Sequence, residues 1–203
     1  MASSADPART ALLLASASPR RRWLLSALGI PFEVLAVDID ERPRAAETPA
    51  AFARRMAEEK ARAAGERRAL EAHARPVWVL AADTIVELDG RIFGKPDGAD
   101  DAAAILRALA GRTHVVRTAM CLLEPGGALS EEASVTTEVG FRALDPEAIR
   151  AYVATGEPLD KAGAYAIQGE GAHLVAHVSG SFTNVIGLPL EEVAAWLRAR
   201  DLL

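Results

Sequence analysis

Cysteine, aromatic residues and long apolar runs are all scarce in this sequence of 203 residues. Its one cysteine, Cys121, has no partner for an intrachain disulfide, and no group of cysteine and histidine residues has zinc-site spacing, which favours a reducing compartment. The apolar run at 11–15 is too short, and too poor in flanking positive charge, for a signal peptide or a membrane span. These absences predict a cytoplasmic protein in which Cys121 belongs to the core.

Positive charge is not in excess either, because the sequence has 23 lysine and arginine residues but 28 aspartate and glutamate residues. Nucleic acid or an anionic membrane would require a basic face, so we expect neither as a partner, and any anion site must be local. Hydrophobic residues make up 50% of the chain and charged residues 25%, as in an ordinary globular protein. The chain is long enough to bury a core without disulfides.

Familiar signatures of nucleotide-binding and hydrolytic enzymes are absent. The sequence contains no G-x-x-x-x-G-K-[ST] loop, no G-x-G-x-x-G, no G-x-S-x-G and no H-E-x-x-H. His173 and His177 are four residues apart, but they fall in a strand-like run, which favours packing or surface roles over metal binding. The chemistry must therefore come from less common motifs.

Apolar segments of strand length alternate with stretches of helical period, which predicts an α/β protein. Strands are predicted at 11–16, 32–37 and 77–82, and helices near 19–28, 48–70, 98–109, 145–154 and 190–200. Asp89-Gly90 and Pro125-Gly126-Gly127 indicate hairpins, so the sheet should be mixed. Without a repeat or linker, residues 11–203 are predicted to form a single domain after a disordered N-terminus at 1–10.

The segment from Ser16 to Arg22 lies where a strand ends and a helix begins. Ser18 suits the N-cap and Pro19 the first helical turn, but the three arginines that follow oppose the helix dipole. A phosphate held by backbone N–H groups and guanidinium groups would remove that conflict. A capped helix with solvated arginines explains this segment equally well.

Lys60 belongs to the predicted helix at 48–70, on the same face as Phe52 and Met56. Its aliphatic stem would then continue an apolar stripe that points towards the core. Taken alone, the pattern favours a lysine whose ammonium reaches back to water. Lys60 becomes functional only if the helix lines a cleft.

Two carboxylates are predicted at the carboxyl ends of strands, where ligands of α/β sheets collect. Asp83 follows the apolar run 77–82, and Glu41 follows the run 32–37 within an acidic cluster. Together they could hold a hard divalent cation that also binds phosphates. The alternatives are a turn-forming aspartate and a solvated loop glutamate.

Lys95 lies in a Gly-Lys-Pro sequence after the first hairpin, where a fixed ammonium suits phosphate binding and an exposed lysine is the alternative. The segment 156–169 has neither helix nor strand period, and irregular loops of that length are often functional. The segment 180–189 is similar, although it could simply be a turn before the last helix.

In this order, the motifs resemble those of the Maf family of nucleoside triphosphate pyrophosphatases, from Leu13 to about Leu190. The matching motifs are SASPRR at 16–21, Glu41, EEKA with Lys60, AADT with Asp83, GKP with Lys95, GRTH at 111–114, GEPLDKAGAYAIQG at 156–169 and GSFTNVIGLP at 180–189. The resemblance implies an elongated mixed β-sheet with flanking helices, in two lobes around a central cleft, as in inosine triphosphatase-like folds. It also implies a homodimer and a divalent cation, Mg²⁺ or Mn²⁺.

The resemblance further implies hydrolysis of a nucleoside triphosphate to monophosphate and pyrophosphate, in the branch acting on dTTP and UTP. Asp83 matches the family's proton acceptor. Arg20, Thr84 and Gln168 match positions associated with substrate choice, and the matching cleft residues are Ser16, Arg21, Glu41, Lys60 and Lys95. Such an enzyme would remove unwanted or modified nucleotides. The alternatives are a pyrophosphatase for a modified or purine nucleotide, and a nucleotide-binding regulator of cell division.

Overall fold

The structure, a computed structural model, describes residues 11–71 and 75–203. The predicted disorder at 1–10 falls outside them. The strands are β1 (Leu12–Ala15), β2 (Glu33–Val34), β3 (Trp78–Leu88), β4 (Arg91–Phe93), β5 (Thr113–Leu123), β6 (Leu129–Phe141) and β7 (Val175–Ser179). The α-helices are α1 (Pro19–Ser26), α2 (Pro49–Ala69), α3 (Ala99–Leu109), α4 (Pro146–Ala154), α5 (Phe182–Ile186) and α6 (Leu190–Arg198). Short 3₁₀ turns cover Glu157–Asp160, Ala162–Ala164 and Glu170–Leu174.

The strands form a mixed sheet in the order β2-β1-β3-β5-β6-β7, with β4 also paired to β3. β1 is parallel to both β2 and β3, whereas the β3–β4 and β6–β7 pairs are antiparallel. The Asp89-Gly90 hairpin is confirmed by the β3–β4 pair, and Pro125–Gly127 lies in the short connection between the sheet neighbours β5 and β6. The predicted mixed α/β class is therefore confirmed.

The described residues group into two compact units. The first contains the residues up to Asp83 together with Ala119–Ser134 and Gly187–Leu203, and the second contains Thr84–Thr118 and Val135–Ile186. The core of the first includes β1, which is buried along its whole length as parallel strands usually are. The core of the second is one apolar cluster that includes Val86, Leu106 and Tyr152. The prediction of a single domain over 11–203 stays a prediction.

Cys121 is buried in β5, and burial raises the pKa of its thiol to about 12, so its predicted place in the core is confirmed. His173 and His177 do not share a strand as predicted, since His173 lies in a 3₁₀ turn and only His177 on β7. Both side chains are exposed. In the part of the chain that the structure describes, no helix combines the length and the apolar character needed to cross a membrane.

Three local predictions were wrong. The strand predicted at 32–37 is only Glu33–Val34, because β2 pairs with the short β1 alone and its pairing ends with that strand. Glu41 therefore lies in a loop and not at a strand end. Asp83 lies inside β3, because the strand continues through Leu88 to the hairpin. The segment 180–189 contains a helix, α5, which we did not predict.

Candidate active site

The register of β1 against β3 places Ser16 and Asp83 on neighbouring parallel segments of the sheet. Ala15 pairs with Ala81, so Ser16 follows one residue after that pair and Asp83 two residues after it. Asp83 and Ala81 share a face of β3, since side chains alternate along a strand. Both Ser16 and Asp83 are buried, with 7% and 8% of their surface exposed. The sheet therefore supplies a hydroxyl and a carboxylate at a protected position.

The start of α1 supplies the predicted arginines. Ser18 caps the helix by accepting a hydrogen bond from the Arg21 backbone N–H, and Pro19 occupies the first turn, as predicted. The Arg21 side chain turns back towards the strand, where Nε donates to the Gly187 carbonyl at 2.8 Å and Nη1 to Ser16 Oγ at 3.4 Å. Burial lowers the pKa of Arg21. The negative charge of Asp83 opposes this effect, whereas the positive charge of Arg20 adds to it. Arg21 is thus a partly buried cation, whereas Arg22 is exposed.

Lys60 does not reach back to water. Its ammonium nitrogen lies 2.7 Å from Asp83 Oδ1 and 2.6 Å from Glu41 Oε1, and only 13% of its side chain is exposed. Phe52 and Met56 on the same face of α2 are buried, so the apolar stripe carries Lys60 inward as its spacing predicts. Ser16, Arg21, Glu41, Lys60 and Asp83 together form what we call the Lys60 cluster.

The loop that carries Glu41 is fixed from helix α2. Arg55 donates from Nε and Nη2 to the two carboxylate oxygens of Glu47, at 2.6 and 2.7 Å, and from Nη2 to the Arg42 carbonyl at 3.1 Å. Arg55 also pairs with Glu59 one helical turn later. The Arg55 guanidinium lowers the pKa of Glu47 to about 2. A bidentate ion pair therefore anchors the chain that follows Glu41 and leads into α2.

A divalent cation fits the chemistry of the Lys60 cluster. Glu41 and Asp83 each place a carboxylate oxygen within 2.7 Å of one nitrogen, so the two carboxylates converge on one point. Among residues 11–71 and 75–203, no group of three or more His, Cys, Asp or Glu side chains has the arrangement of a metal site. Two carboxylates suffice for Mg²⁺, which keeps waters and takes further oxygens from substrate phosphates. The convergent carboxylates of Glu41 and Asp83 therefore have the chemistry that a hard divalent cation requires.

In the second unit, the half-buried Thr84 is joined to a chain of buried hydroxyl and amide groups. Its Oγ1 lies 2.9 Å from Thr118 Oγ1, which donates to the Asn184 carbonyl at 3.1 Å. A carbonyl can only accept, so the single hydroxyl proton of Thr118 is committed there and Thr84 donates to Thr118. The Asn184 amide in turn donates to the Val116 carbonyl and to Thr137 Oγ1, at 3.0 and 2.9 Å. This chain fixes the rotamer of Thr84.

Lys95 and Gln168 also belong to the second unit. Lys95 is exposed between β4 and α3, and the neighbouring Gly94 accepts a hydrogen bond from the Gly163 N–H at 3.0 Å. Gly163 has a φ of +71°, and a Cβ there would lie 2.7 Å from the Val86 side chain. The segment that leads to Gln168 is therefore packed closely against β3, and Gln168 itself is half-buried. Within this unit, the described contacts do not join Lys95 or Gln168 to Thr84.

Several residues around these sites escaped the sequence analysis. Arg55 and Glu47 hold the Glu41 loop, Thr118 and Asn184 hold Thr84, and Tyr152 contacts the segment 156–171. The four-residue spacing of Arg55 and Glu59 was a usable signal for a helical ion pair. The other contacts join residues distant in sequence and leave no local pattern.

The chain is similar over nearly its whole length to curated dTTP/UTP pyrophosphatases. One from Nitratidesulfovibrio vulgaris is 50% identical over 193 residues, which are 95% of this chain and 89% of the relative. Another, from Anaeromyxobacter dehalogenans, is 52% identical over 190 residues, which are 92% of each chain. A solved structure of a nucleoside-triphosphatase and dITP/XTP pyrophosphatase from Mycobacterium abscessus has 19% identity and a TM-score of 0.42, covering 64% of this chain and 73% of that one. The sequence model described as Maf-like protein matches residues 11–200, and the chain therefore belongs to the Maf family.

Proposed function

We propose that this chain hydrolyses dTTP and UTP to the nucleoside monophosphate and pyrophosphate. Its similarity to dTTP/UTP pyrophosphatases over at least 92% of its length supports this substrate pair. The observation that carries the chemistry is the Lys60 cluster, in which a buried carboxylate, a second carboxylate and two cations converge. Removal of unwanted or modified nucleotides from the precursor pool would be the use of such an activity.

The reaction requires charge compensation more than covalent catalysis. A bound triphosphate carries about four negative charges, and attack of water at the α-phosphorus needs alignment and stabilisation of the departing pyrophosphate. In our proposal Arg20, Arg21, Lys60 and Lys95 supply positive charge, and Ser16 supplies a hydroxyl. Arg21 and Lys60 are already partly buried, and fixed donors in a water-poor site stabilise developing charge more strongly than solvated ones.

Asp83 is the proposed proton acceptor. Its Oδ1 accepts a hydrogen bond from Lys60, and no side-chain hydrogen bond of the described residues involves its Oδ2. We therefore assign to Oδ2 the orientation and deprotonation of the attacking water, which needs a base within hydrogen-bond reach. The P–O bond to the bridging oxygen breaks as the new one forms, and the electron pair leaves with pyrophosphate.

The family resemblance implies a divalent cation, and we propose Glu41 and Asp83 as its protein ligands. When bound, Mg²⁺ or Mn²⁺ would neutralise phosphate charge and favour in-line displacement. The ammonium of Lys60 holds the two carboxylates together before the nucleotide arrives, so they need not be gathered during binding.

Gln168 and Thr84 are the proposed base-reading residues of the second unit. A side-chain amide offers a donor and an acceptor, which can pair with O4 and N3–H of thymine or uracil. A flipped amide would pair with cytosine instead, so selection requires a fixed amide. Fixed polar groups reject the wrong base because they would be left unpaired against it.

Release of pyrophosphate from a panel of triphosphates tests the proposal. The panel contains dTTP, UTP, CTP, purine and modified nucleotides with Mg²⁺ or Mn²⁺, and kcat/KM is measured for each. We expect the highest values for dTTP and UTP, loss of activity in EDTA and recovery with added cation. A preference for modified or purine nucleotides would replace the proposed substrate. Nucleotide binding without pyrophosphate release would instead favour the regulatory role.

The homodimer and the cytoplasmic location remain predictions. Light scattering in solution tests the homodimer.

A further inference from the structure

Two side chains hold the segment around Gln168 from both sides. Tyr152, on α4, accepts a hydrogen bond from the Ala166 N–H at 3.1 Å, two residues before Gln168. Glu157 accepts hydrogen bonds from the N–H groups of Glu170 and Gly171, at 3.0 and 2.8 Å, just after Gln168. The Tyr152 hydroxyl donates to Glu157 Oε1 at 2.7 Å, so the two side chains are themselves joined.

The glycines of this segment allow the close approach. Gly169 has a φ of +119°, and a Cβ there would lie 2.3 Å from Glu157 Oε2. A Cβ on Gly171 would lie 2.4 Å from the Ala166 carbonyl oxygen and 2.5 Å from the Tyr152 hydroxyl. The backbone just after Gln168 therefore sits directly on the Tyr152–Glu157 pair, with no room for a side chain at Gly169 or Gly171.

Glu157 is a charged acceptor in a partly buried place. Burial opposes its ionisation, but the hydrogen bonds from Tyr152 and from the Gly171 and Glu170 N–H groups outweigh that effect and leave its pKa lowered. Tyr152 is 2% exposed, and burial, with the bond to Glu157, raises the pKa of its phenol, so it remains a hydroxyl. Hydrogen bonds to a charged acceptor are stronger than those between neutral groups.

We infer that Glu157 and Tyr152 are positioning residues for Gln168, and that they determine pyrimidine selectivity without contacting the nucleotide. This inference rests on the proposed function, in which Gln168 reads the base. An amide can discriminate thymine and uracil from cytosine only if its donor and acceptor stay at fixed places. The Tyr152–Glu157 pair, which we call the clamp, fixes the backbone at Ala166, Glu170 and Gly171. This limits the positions that the Gln168 side chain can reach.

Two variants loosen the clamp with little change in volume. Glu157→Gln keeps one oxygen, so its amide NH₂ meets at least one N–H group of the segment and a hydrogen bond is lost. Tyr152→Phe keeps the buried ring and removes the hydroxyl with its two described bonds. Glu170→Gln is the matched control, because its side chain is exposed and only its backbone N–H contacts Glu157. Gln168→Ala gives the loss expected when the amide is absent.

The decisive measurement is kcat/KM for dTTP divided by kcat/KM for CTP, with KM and kcat determined separately. We expect Glu157→Gln and Tyr152→Phe to lower this ratio roughly threefold to tenfold, mainly through a higher KM for dTTP. Glu170→Gln should match the wild type. A purely structural role would lower the melting temperature and the active fraction but leave the ratio and KM unchanged.

An unchanged ratio in either folded variant overturns the inference, as does loss of the folded state in both. If only Glu157→Gln fails to fold, Tyr152→Phe decides. Wild-type protein that releases no pyrophosphate from dTTP or UTP refutes the proposed function itself, and the selectivity role with it. If the wild-type protein hydrolyses dTTP and UTP and a folded variant keeps the wild-type selectivity, only the positioning role is refuted.

Discussion

Lys60 Nζ lies 2.7 Å from Asp83 Oδ1 and, at the same time, 2.6 Å from Glu41 Oε1. One ammonium thus connects helix α2, strand β3 and the loop before α2. The cation compensates the charge of a buried aspartate, which would otherwise be costly to desolvate. The same contact gathers two carboxylates, so one residue contributes both to stability and to the geometry that we propose for catalysis.

Asp83→Asn should keep the fold and lower kcat by at least about a hundredfold. The amide preserves shape, and Lys60 remains paired with Glu41, so no buried cation is left alone. An amide cannot take a proton from water at this position. Turnover of dTTP and the circular dichroism spectrum are measured together, with Asp100→Asn on the exposed first turn of α3 as control. Near-normal turnover in folded Asp83→Asn protein would refute the assignment of the base.

Lys60→Met should lower both activity and stability, and the two effects can be separated. Loss of the ammonium leaves the Asp83 carboxylate buried without its ion-pair partner, which costs on the order of 3 kcal/mol of unfolding free energy. Adding Asp83→Asn to Lys60→Met removes that charge, so the double variant should regain stability while remaining inactive. Urea denaturation and pyrophosphate release measure the two properties. Unchanged kinetics in the single variant would exclude Lys60 from the active site.

The local parts of this architecture were predictable from sequence, because their causes lie within a few residues. Ser18 and Pro19 start α1, Asp89-Gly90 turns β3 into β4, and the spacing of Phe52 and Lys60 carries the lysine inward. Periodicity alone could not tell whether Lys60 reaches water, because the answer depends on Asp83, 23 residues later. That contact is set by strand register, which the sequence of the helix does not contain.

The errors have the same origin. Asp83 looked like a strand terminus because the apolar run ends there, whereas strand length is fixed by pairing, and β3 pairs on through Leu88. The role of Tyr152 was hidden because its partner Ala166 lies 14 residues away, across two turns. Family motifs identified the residues expected to touch substrate but not the ones that hold them.

Arg55→Met should weaken the binding of the cation by Glu41, although it changes no residue of the Lys60 cluster. Arg55 anchors Glu47 and Arg42, so its loss should free the loop that carries Glu41. We expect the Mg²⁺ concentration for half-maximal turnover to rise about tenfold, as when groups that orient metal ligands are removed. Calorimetric titration with Mn²⁺ in the absence of nucleotide gives a second readout.

The matched control for Arg55→Met is Arg62→Met, on the same helix. Arg62 forms an exposed pair with Glu58 and does not reach the described part of the Glu41 loop. If Arg55→Met lowers only the melting temperature, with the cation dependence of both turnover and binding unchanged, Arg55 stabilises the fold and does not position Glu41.

Mild acid should destabilise the second unit through His114. This imidazole is 1% exposed, lies with Nε2 2.8 Å from the Tyr165 hydroxyl, and packs edge-on against Phe141 and Tyr165. Burial lowers its pKa to about 4, below the 6.5 of an exposed histidine. The unfolded chain therefore binds a proton first as pH falls, so the stabilisation is complete above pH 6.5 and is lost between 6.5 and 4. Between pH 7.5 and 5 the unfolding free energy should fall by about 2 kcal/mol from this group.

The double variant His114→Phe/Tyr165→Phe isolates this contribution. It removes the imidazole together with its hydroxyl partner, so no buried hydroxyl is left without a hydrogen bond, and it retains two aromatic rings beside Phe141. Urea denaturation of both proteins at pH 7.5 and 5 gives the difference, since the two proteins share every other group that titrates in this range; the phenol of Tyr165, whose pKa is raised by burial, does not. His177→Asn, which replaces an exposed histidine on β7, is measured in parallel as the control substitution. If the double variant loses as much stability as the wild type over this range, His114 does not control the acid sensitivity of the fold.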